Sequence, residues 1–222
     1  MTRQYTDLAD SDARVIGLGG TYHTHQQEGG RSYRWPDLWV YPDSAVIGDG
    51  DPIRIPRGTD NIKPGCELTA VIAGPLTTQT KEAAWDAVAG FTVSNDVTAA
   101  GEWPGWSDPD HGMITGVGYK LFPGFCPILE AFTPREDLDS YANRSVHVDV
   151  DGETSVSGST ADLAFSIPEL ILFADRIVPL RAGDLIALGD PGSPRVLLDS
   201  ADEVVCTVEG VGTLRNPVAN AG

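Results

Sequence analysis

Gly65-Cys66-Glu67-Leu68-Thr69-Ala70-Val71-Ile72 and Phe91-Thr92-Val93-Ser94-Asn95-Asp96-Val97 decide how this chain folds. Both read as strands. Along the first, Glu67, Thr69 and Val71 fall on one face and Leu68, Ala70 and Ile72 on the other, and the second alternates in the same way. Each carries one acid at its edge, Glu67 or Asp96. A carboxylate beside core-forming strands is costly to desolvate unless something positive meets it. Lys120 follows in Gly118-Tyr119-Lys120-Leu121-Phe122, and the only other lysines are Lys63 and Lys81. Glu67, Asp96 and Lys120 therefore mark the place to look for a site, one expected to hold a divalent cation.

Between the two strands, Thr80 is placed to cap a helix running through Lys81 to Ala89, with Ala84, Trp85 and Val88 as its apolar stripe and Gly90 as its stop. Upstream, Val15 to Gly20 reads as a short buried strand, and Trp39 to Tyr41 and Ile53 to Ile55 as two more. Residues 99–118 have no period and are rich in Gly, Pro, Trp and Asp, the composition of a long functional loop or lid. Val146, Val148 and Val150 alternate into Asp151-Gly152, a hairpin signal. Ser166-Ile167-Pro168-Glu169 is a capping box opening a helix to about Arg176. Leu180 to Leu188 and Glu203 to Gly212 supply closing strands. Many short strands with two or three helices predict one β-rich α+β domain over residues 15–218, with 1–14 as an N-terminal extension and 219–222 as a tail.

Fifteen Lys+Arg against thirty-two Asp+Glu give a net charge of −17. Nucleic acid and anionic membranes attract the opposite sign, so neither is an expected partner. An acidic, lysine-poor surface suits high salt, where self-repulsion is screened, and points to a halophilic source or a high-GC actinobacterium. Cys66, Cys126 and Cys206 form no Cys-x-x-Cys pair and are read as buried free thiols. The polar, acidic start of the chain resembles no signal peptide, and no apolar run approaches the ~20 residues of a membrane span, so a soluble cytoplasmic protein is expected.

Thr21-Tyr22-His23-Thr24-His25-Gln26-Gln27-Glu28 holds a second constellation. On a helical turn, His25 and Glu28 lie three apart and can touch, and a carboxylate beside an imidazole raises its basicity as a general base requires. On a strand, His23 and His25 would instead face the same way and, with Glu28, mimic the first metal motif of cupins, although Glu28 comes one residue early and no later His motif supplies another ligand. A surface ion pair is the simpler account of His25 and Glu28. Trp103 and Trp106 suit either a lid or plain packing, while His111 and His147 read as surface residues.

Taken in order, these segments resemble the fumarylacetoacetate hydrolase family. The residues that carry the likeness are Tyr22, His25 and Glu28; Glu67-Leu68; Asn95-Asp96-Val97-Thr98-Ala99; Lys120 with Phe122, Phe125, Cys126 and Pro127; Val150-Asp151-Gly152-Glu153; Gly183-Asp184-Leu185-Ile186; Gly189-Asp190-Pro191; and Gly210 to Asn216. The resemblance implies a mixed β-sandwich roll, a homodimer, and Mg²⁺ or Mn²⁺ in an open site that chelates a small keto acid or 1,3-dicarbonyl acid. By matched position, Glu67 and Asp96 would be metal ligands, and His25, Glu28 and Lys120 catalytic. Tyr22, Gly189 and Asp190 would lie against substrate. The implied chemistry is hydrolysis of a C–C bond, decarboxylation or isomerisation through a metal-stabilised enolate.

The departures cluster at the site. The family spaces two glutamates by one residue so that both point at one cation, and here the first is Gly65. Its usual arginine after the Asp motif is Ala100, an aspartate near the lysine is Pro123, and a threonine is Asp190, whose charge would repel a carboxylate substrate. Two functions follow: a metal-dependent hydrolase or lyase, or a catalytically altered relative that binds a small acid or a partner without metal.

Overall fold

The structure is a computed structural model that describes residues 3–8, 13–30, 32, 34–101, 107–108, 112–113, 118–138 and 140–220. Two sheets make up its frame. The larger has seven strands in the order Arg3–Gln4, Ala131–Pro134, Val88–Asn95, Cys66–Ile72, Leu185–Ala187, Val15–Gly19, Asp37–Val40. Its pairs are antiparallel except for Leu185–Ala187 on Val15–Gly19, so the sheet is mixed. The smaller runs Glu153–Ser159, Ser145–Val150, Glu203–Val208, Gly212–Asn220, Ile53–Ile55. The β-rich α+β class expected from the sequence is what the chain adopts.

Cys66–Ile72 is buried along its whole length because it has strands on both sides and packing on both faces. Leu68, Ala70 and Ile72 join Val93, Val148, Cys206 and Leu214 in the core between the sheets. Val71, on the other face, joins Val15, Trp39, Tyr41 and Ile128 in a second cluster. That separation is the period-2 pattern realised. Thr69 and Ser94, polar residues on the second face, answer one another: their hydroxyls lie 2.6 Å apart.

The hairpin at Asp151-Gly152 forms as expected, with both residues at positive φ (50° and 81°), which a tight two-residue turn requires. The helix Ile167–Ile177 opens on Glu169, whose Oε2 accepts from the backbone N and the hydroxyl of Ser166 at 2.8 and 2.7 Å. It packs on the short helix Lys81–Asp86, and Lys81 Nζ meets Glu169 Oε1 at 2.6 Å.

Several element ends differ from expectation. The helix after Thr80 stops at Asp86, and Val88–Asn95 is already strand. Gly90 is thus a strand residue, not a helix stop. A Cβ there would lie 2.2 Å from the Thr133 carbonyl oxygen, so the glycine is required by the close approach of the neighbouring strand Ala131–Pro134. The strand expected over 180–188 is confined to Leu185–Ala187, because the Asp184 side chain takes hydrogen bonds that a ladder would otherwise make, from the backbone N of Arg14 and of Arg181. The run 203–212 divides into two strands at the turn around Glu209 and Gly210. Arg3–Gln4, placed in the N-terminal extension, pairs with Ala131 and Phe132 at the edge of the large sheet. Much of the 99–118 lid, with Trp103, Trp106 and His111, lies outside the described residues. Cys66, Cys126 and Cys206 are buried free thiols, and no helix among the described residues is long and apolar enough to cross a membrane.

Candidate metal centre

The site forms where three neighbouring strands end together. Glu67 is opposite Ser94 in the register of the two central strands, so Asp96, two residues past Ser94, comes out beside it. The turn is held by Asp96 N donating to the Gly65 carbonyl at 2.8 Å and by Gly65 N donating to the Asn95 side chain at 2.9 Å. On the other side, Leu185–Ala187 delivers Leu188, Gly189 and Asp190: Leu188 N donates to the Leu68 carbonyl at 3.1 Å and Gly189 N to Glu67 Oε2 at 2.7 Å. One carboxylate oxygen from each of Glu67, Asp96 and Asp190 lies within 4.8 Å of the others. Glu67 and Asp96 therefore converge, as the sequence led us to expect, and Asp190 joins them.

Three acids so close need compensation. Glu67 is 1% exposed, and its second oxygen, Oε1, has no hydrogen-bond partner among the described residues. Burial, followed by the charges of Asp96 and Asp190, pushes its carboxyl well above the usual range, against the pull of the Gly189 N–H and Lys120. Asp96 is better served. Tyr41 Oη donates to its Oδ1 at 2.5 Å, and the Lys120 ammonium donates to Oδ2 and, at 2.9 Å, to the Thr98 hydroxyl. Burial alone would lower the Lys120 pKa, but the charge of Asp96, its hydrogen bond, and then Asp190 and Glu67 outweigh it, so Lys120 stays protonated. The ammonium also lies 4.8 Å from the centre of the Trp39 ring.

His25 sits on the short helix His23–Glu28, which settles the choice between helical turn and strand. Its expected contact with Glu28 is not made. Nδ1 instead faces Asp190 Oδ1 at 3.3 Å, and Glu28 Oε2 accepts from Ser193 N at 2.9 Å. The hydrogen bond to Asp190 raises the His25 pKa more than burial lowers it. Thr24, between the two histidines, is held to Asp162 by its backbone N and hydroxyl at 2.8 and 2.6 Å, which fixes the helix against the 160–162 turn. Tyr22 is fully buried, with its hydroxyl unpartnered among the described residues, so it lies beneath the pocket surface. His25, Glu67, Asp96, Lys120, Gly189 and Asp190 all line one cleft, which continues past Gly65 and Thr98 towards Ser193.

Tyr41 and Trp39 were not singled out from the sequence as site residues. Gly17 is the one local hint: a Cβ there would lie 2.2 Å from the Trp39 indole, so the glycine lets the ring lie flat across the strand and under Lys120. Nothing in the spacing of Tyr41 marks it as a donor to Asp96.

A mixed, strand-rich frame with an acidic cluster at the ends of its central strands defines a class, and residues 14–219 match the fumarylacetoacetate (FAA) hydrolase C-terminal family. The chain belongs to that family. It is similar to the Homoprotocatechuate catabolism bifunctional isomerase/decarboxylase of Escherichia coli, at 29% identity over 98% of this chain and 49% of that protein. It is also similar to the mitochondrial oxaloacetate tautomerase fahd2 of Xenopus laevis, at 30% identity over 92% of this chain and 65% of that protein. The chain thus spans about half to two thirds of the length of these relatives. Among solved structures, it resembles the 5-carboxymethyl-2-hydroxymuconate delta-isomerase of Mycobacterium smegmatis, with a TM-score of 0.77 and 29% identity over 95% of this chain and 80% of that one.

Proposed function

We propose that this chain is a divalent-cation-dependent enzyme that moves a proton beside the carbonyl of a small keto acid or 1,3-dicarbonyl acid, with isomerisation, decarboxylation or C–C bond hydrolysis as the outcome. Relatives named as an isomerase/decarboxylase and a tautomerase support that class of chemistry. The observation that carries the reading is Glu67 Oε1, a buried carboxylate oxygen without a hydrogen bond beside two more carboxylates. An unsatisfied buried acceptor costs ~1–3 kcal/mol, more when charged, and is worth keeping only where something binds it.

The donor set fits Mg²⁺ or Mn²⁺, hard cations that favour carboxylate oxygen. Glu67 and Asp96 would hold the ion, which when bound supplies Lewis-acid polarisation of a substrate carbonyl. The protein's own groups do the rest. Lys120, kept charged among the acids, is placed to meet negative charge developing on a substrate oxygen. His25, with Nδ1 turned to Asp190, presents Nε2 as the end that takes or returns a proton. Glu28 acts at one remove, anchoring the Ser193 loop that flanks His25. Gly189 spends its N–H on Glu67, leaving its backbone as a wall for the substrate carboxylate. The working unit is proposed to be a homodimer, on the family likeness alone.

One observation favours the second reading, a relative that binds a small acid without metal: Lys120 already neutralises Asp96. The two separate in an assay of enol-to-keto conversion of oxaloacetate followed by ultraviolet absorbance. Activity with Mn²⁺ that is abolished by EDTA and falls at least a hundredfold in Lys120→Met supports the enzyme. Saturable binding of oxalate in EDTA, with no turnover under any metal condition, refutes it.

A further inference from the structure

We infer that Asp190 is a third oxygen ligand of this cation site, and that Gly65 is the residue that makes room for it, so the two positions are coupled. The inference rests on the cation-binding reading above and assigns Asp190 to the ion rather than to the substrate.

Gly65 lies just before the strand Cys66–Ile72, and a Cβ built there faces Asp96 and Asp190, the two acids grouped with Glu67. A side chain at 65 would therefore enter the same space as Glu67. Gly65 has its N–H bound to Asn95 and its carbonyl bound by Asp96 N, so its backbone cannot swing away. A Cβ built there lies 3.0 Å from the Asp96 carbonyl oxygen and 3.4 Å from Asp190 Oδ2. A side chain extended from that Cβ towards Glu67 meets the Asp190 carboxylate. The space beside Glu67 thus holds one acid, and in this chain it arrives from the end of Leu185–Ala187 instead of from the strand that carries Glu67.

Asp190 is also held in place for the task. Oδ1 takes the Gly192 N–H at 3.1 Å and faces His25 Nδ1 at 3.3 Å, which leaves Oδ2 without a hydrogen bond among the described residues and turned towards Gly65. Independently, Lys120 is spent on Asp96, and the buried Glu67 Oε1 is left without a hydrogen-bond partner among the described residues. One consequence is specific to this arrangement. The carboxylate that binds the ion also orients the imidazole, so occupancy of the cation site and the tautomer of His25 are linked through a single side chain.

The test is Mn²⁺ binding to the full chain, read by the loss of the free-ion electron paramagnetic resonance signal and by the EDTA-sensitive rise in melting temperature. Four proteins are compared: wild type, Asp190→Asn, Gly65→Glu/Asp190→Ser and Glu67→Gln. Wild type should bind about one Mn²⁺ per chain. Asp190→Asn, which keeps the shape and the Gly192 contact, should bind at least tenfold more weakly. The double variant, with a carboxylate returned from position 65 and the Asp190 carboxylate no longer in its way, should recover to within about threefold of wild type. If Asp190→Asn binds as wild type does while Glu67→Gln has lost the ion, the inference is overturned and the cation site stands. If wild type takes up no Mn²⁺ at millimolar supply, both fall together.

Discussion

Glu67→Gln should make the metal-free protein more stable and the metal-loaded protein relatively less so. Without metal, Glu67 Oε1 is buried and unpaired, with Asp96 and Asp190 close by. An amide of the same shape still accepts from Gly189 N through its oxygen, where the carboxylate does so at 2.7 Å. Its NH₂ then donates to a neighbouring carboxylate, where the Glu67 carboxyl can do so only by taking up a proton, so above its raised pKa the variant gains a hydrogen bond to a charged group worth ~1.5–3 kcal/mol. At ~2–4 °C per kcal/mol for a chain of this size, the variant should melt ~3–12 °C above wild type in EDTA. Wild type gains in turn when metal is supplied. At a free Mn²⁺ concentration a hundred times the dissociation constant, binding adds ~2.7 kcal/mol, or ~5–11 °C. Thermal unfolding followed by circular dichroism, with and without Mn²⁺, gives all four numbers. A Glu67→Gln protein that melts below wild type in EDTA would refute the reasoning, because Glu67 would then be a satisfied structural acid.

Three other outcomes are expected. Gly90→Ala should cost ~1–3 kcal/mol in urea unfolding, since its Cβ meets the Thr133 backbone oxygen at 2.2 Å and only separation from the neighbouring strand Ala131–Pro134 relieves it; an unchanged midpoint contradicts the strand assignment. The hydrogen bond from Lys81, then those from Ser166, hold Glu169 down to about 2. A depressed carboxyl stabilises above its unfolded pKa and loses that contribution as pH falls through the folded one, so acidification from pH 5 to 2.5 should cost wild type more than Glu169→Gln; the pair is partly exposed, and the difference should be under about 1 kcal/mol. Finally, a net charge of −17 predicts a melting temperature that rises between low and molar KCl, and a flat profile excludes the halophilic reading.

The sequence carried the strands because alternation is local. Leu68, Ala70 and Ile72 against Val71, and the Asp151-Gly152 turn, are each decided by a few adjacent residues. It carried Glu67, Asp96 and Lys120 because acids and a rare lysine beside apolar runs stand out. What it concealed depends on distant segments. Gly90 looked like a helix stop, and only the approach of Thr133 shows it as a strand glycine. His25 had Glu28 within reach along the chain, yet its partner Asp190 is 165 residues away. Arg14 and the fully buried Asp184, which bind one another through several atoms, are 170 residues apart, and no pattern links them. The approach of Asp190 to Gly65 is likewise a property of the folded sheet.

The most direct measurement is a Mn²⁺ titration of the metal-stripped wild-type chain by isothermal calorimetry, repeated on Asp96→Asn. The account predicts about one saturable site per chain in the wild type and its loss in the variant, since Asp96 and Glu67 are offered to the same ion. A wild-type protein that takes up no Mn²⁺ at millimolar concentration, or a variant that binds as tightly as the parent, would contradict it.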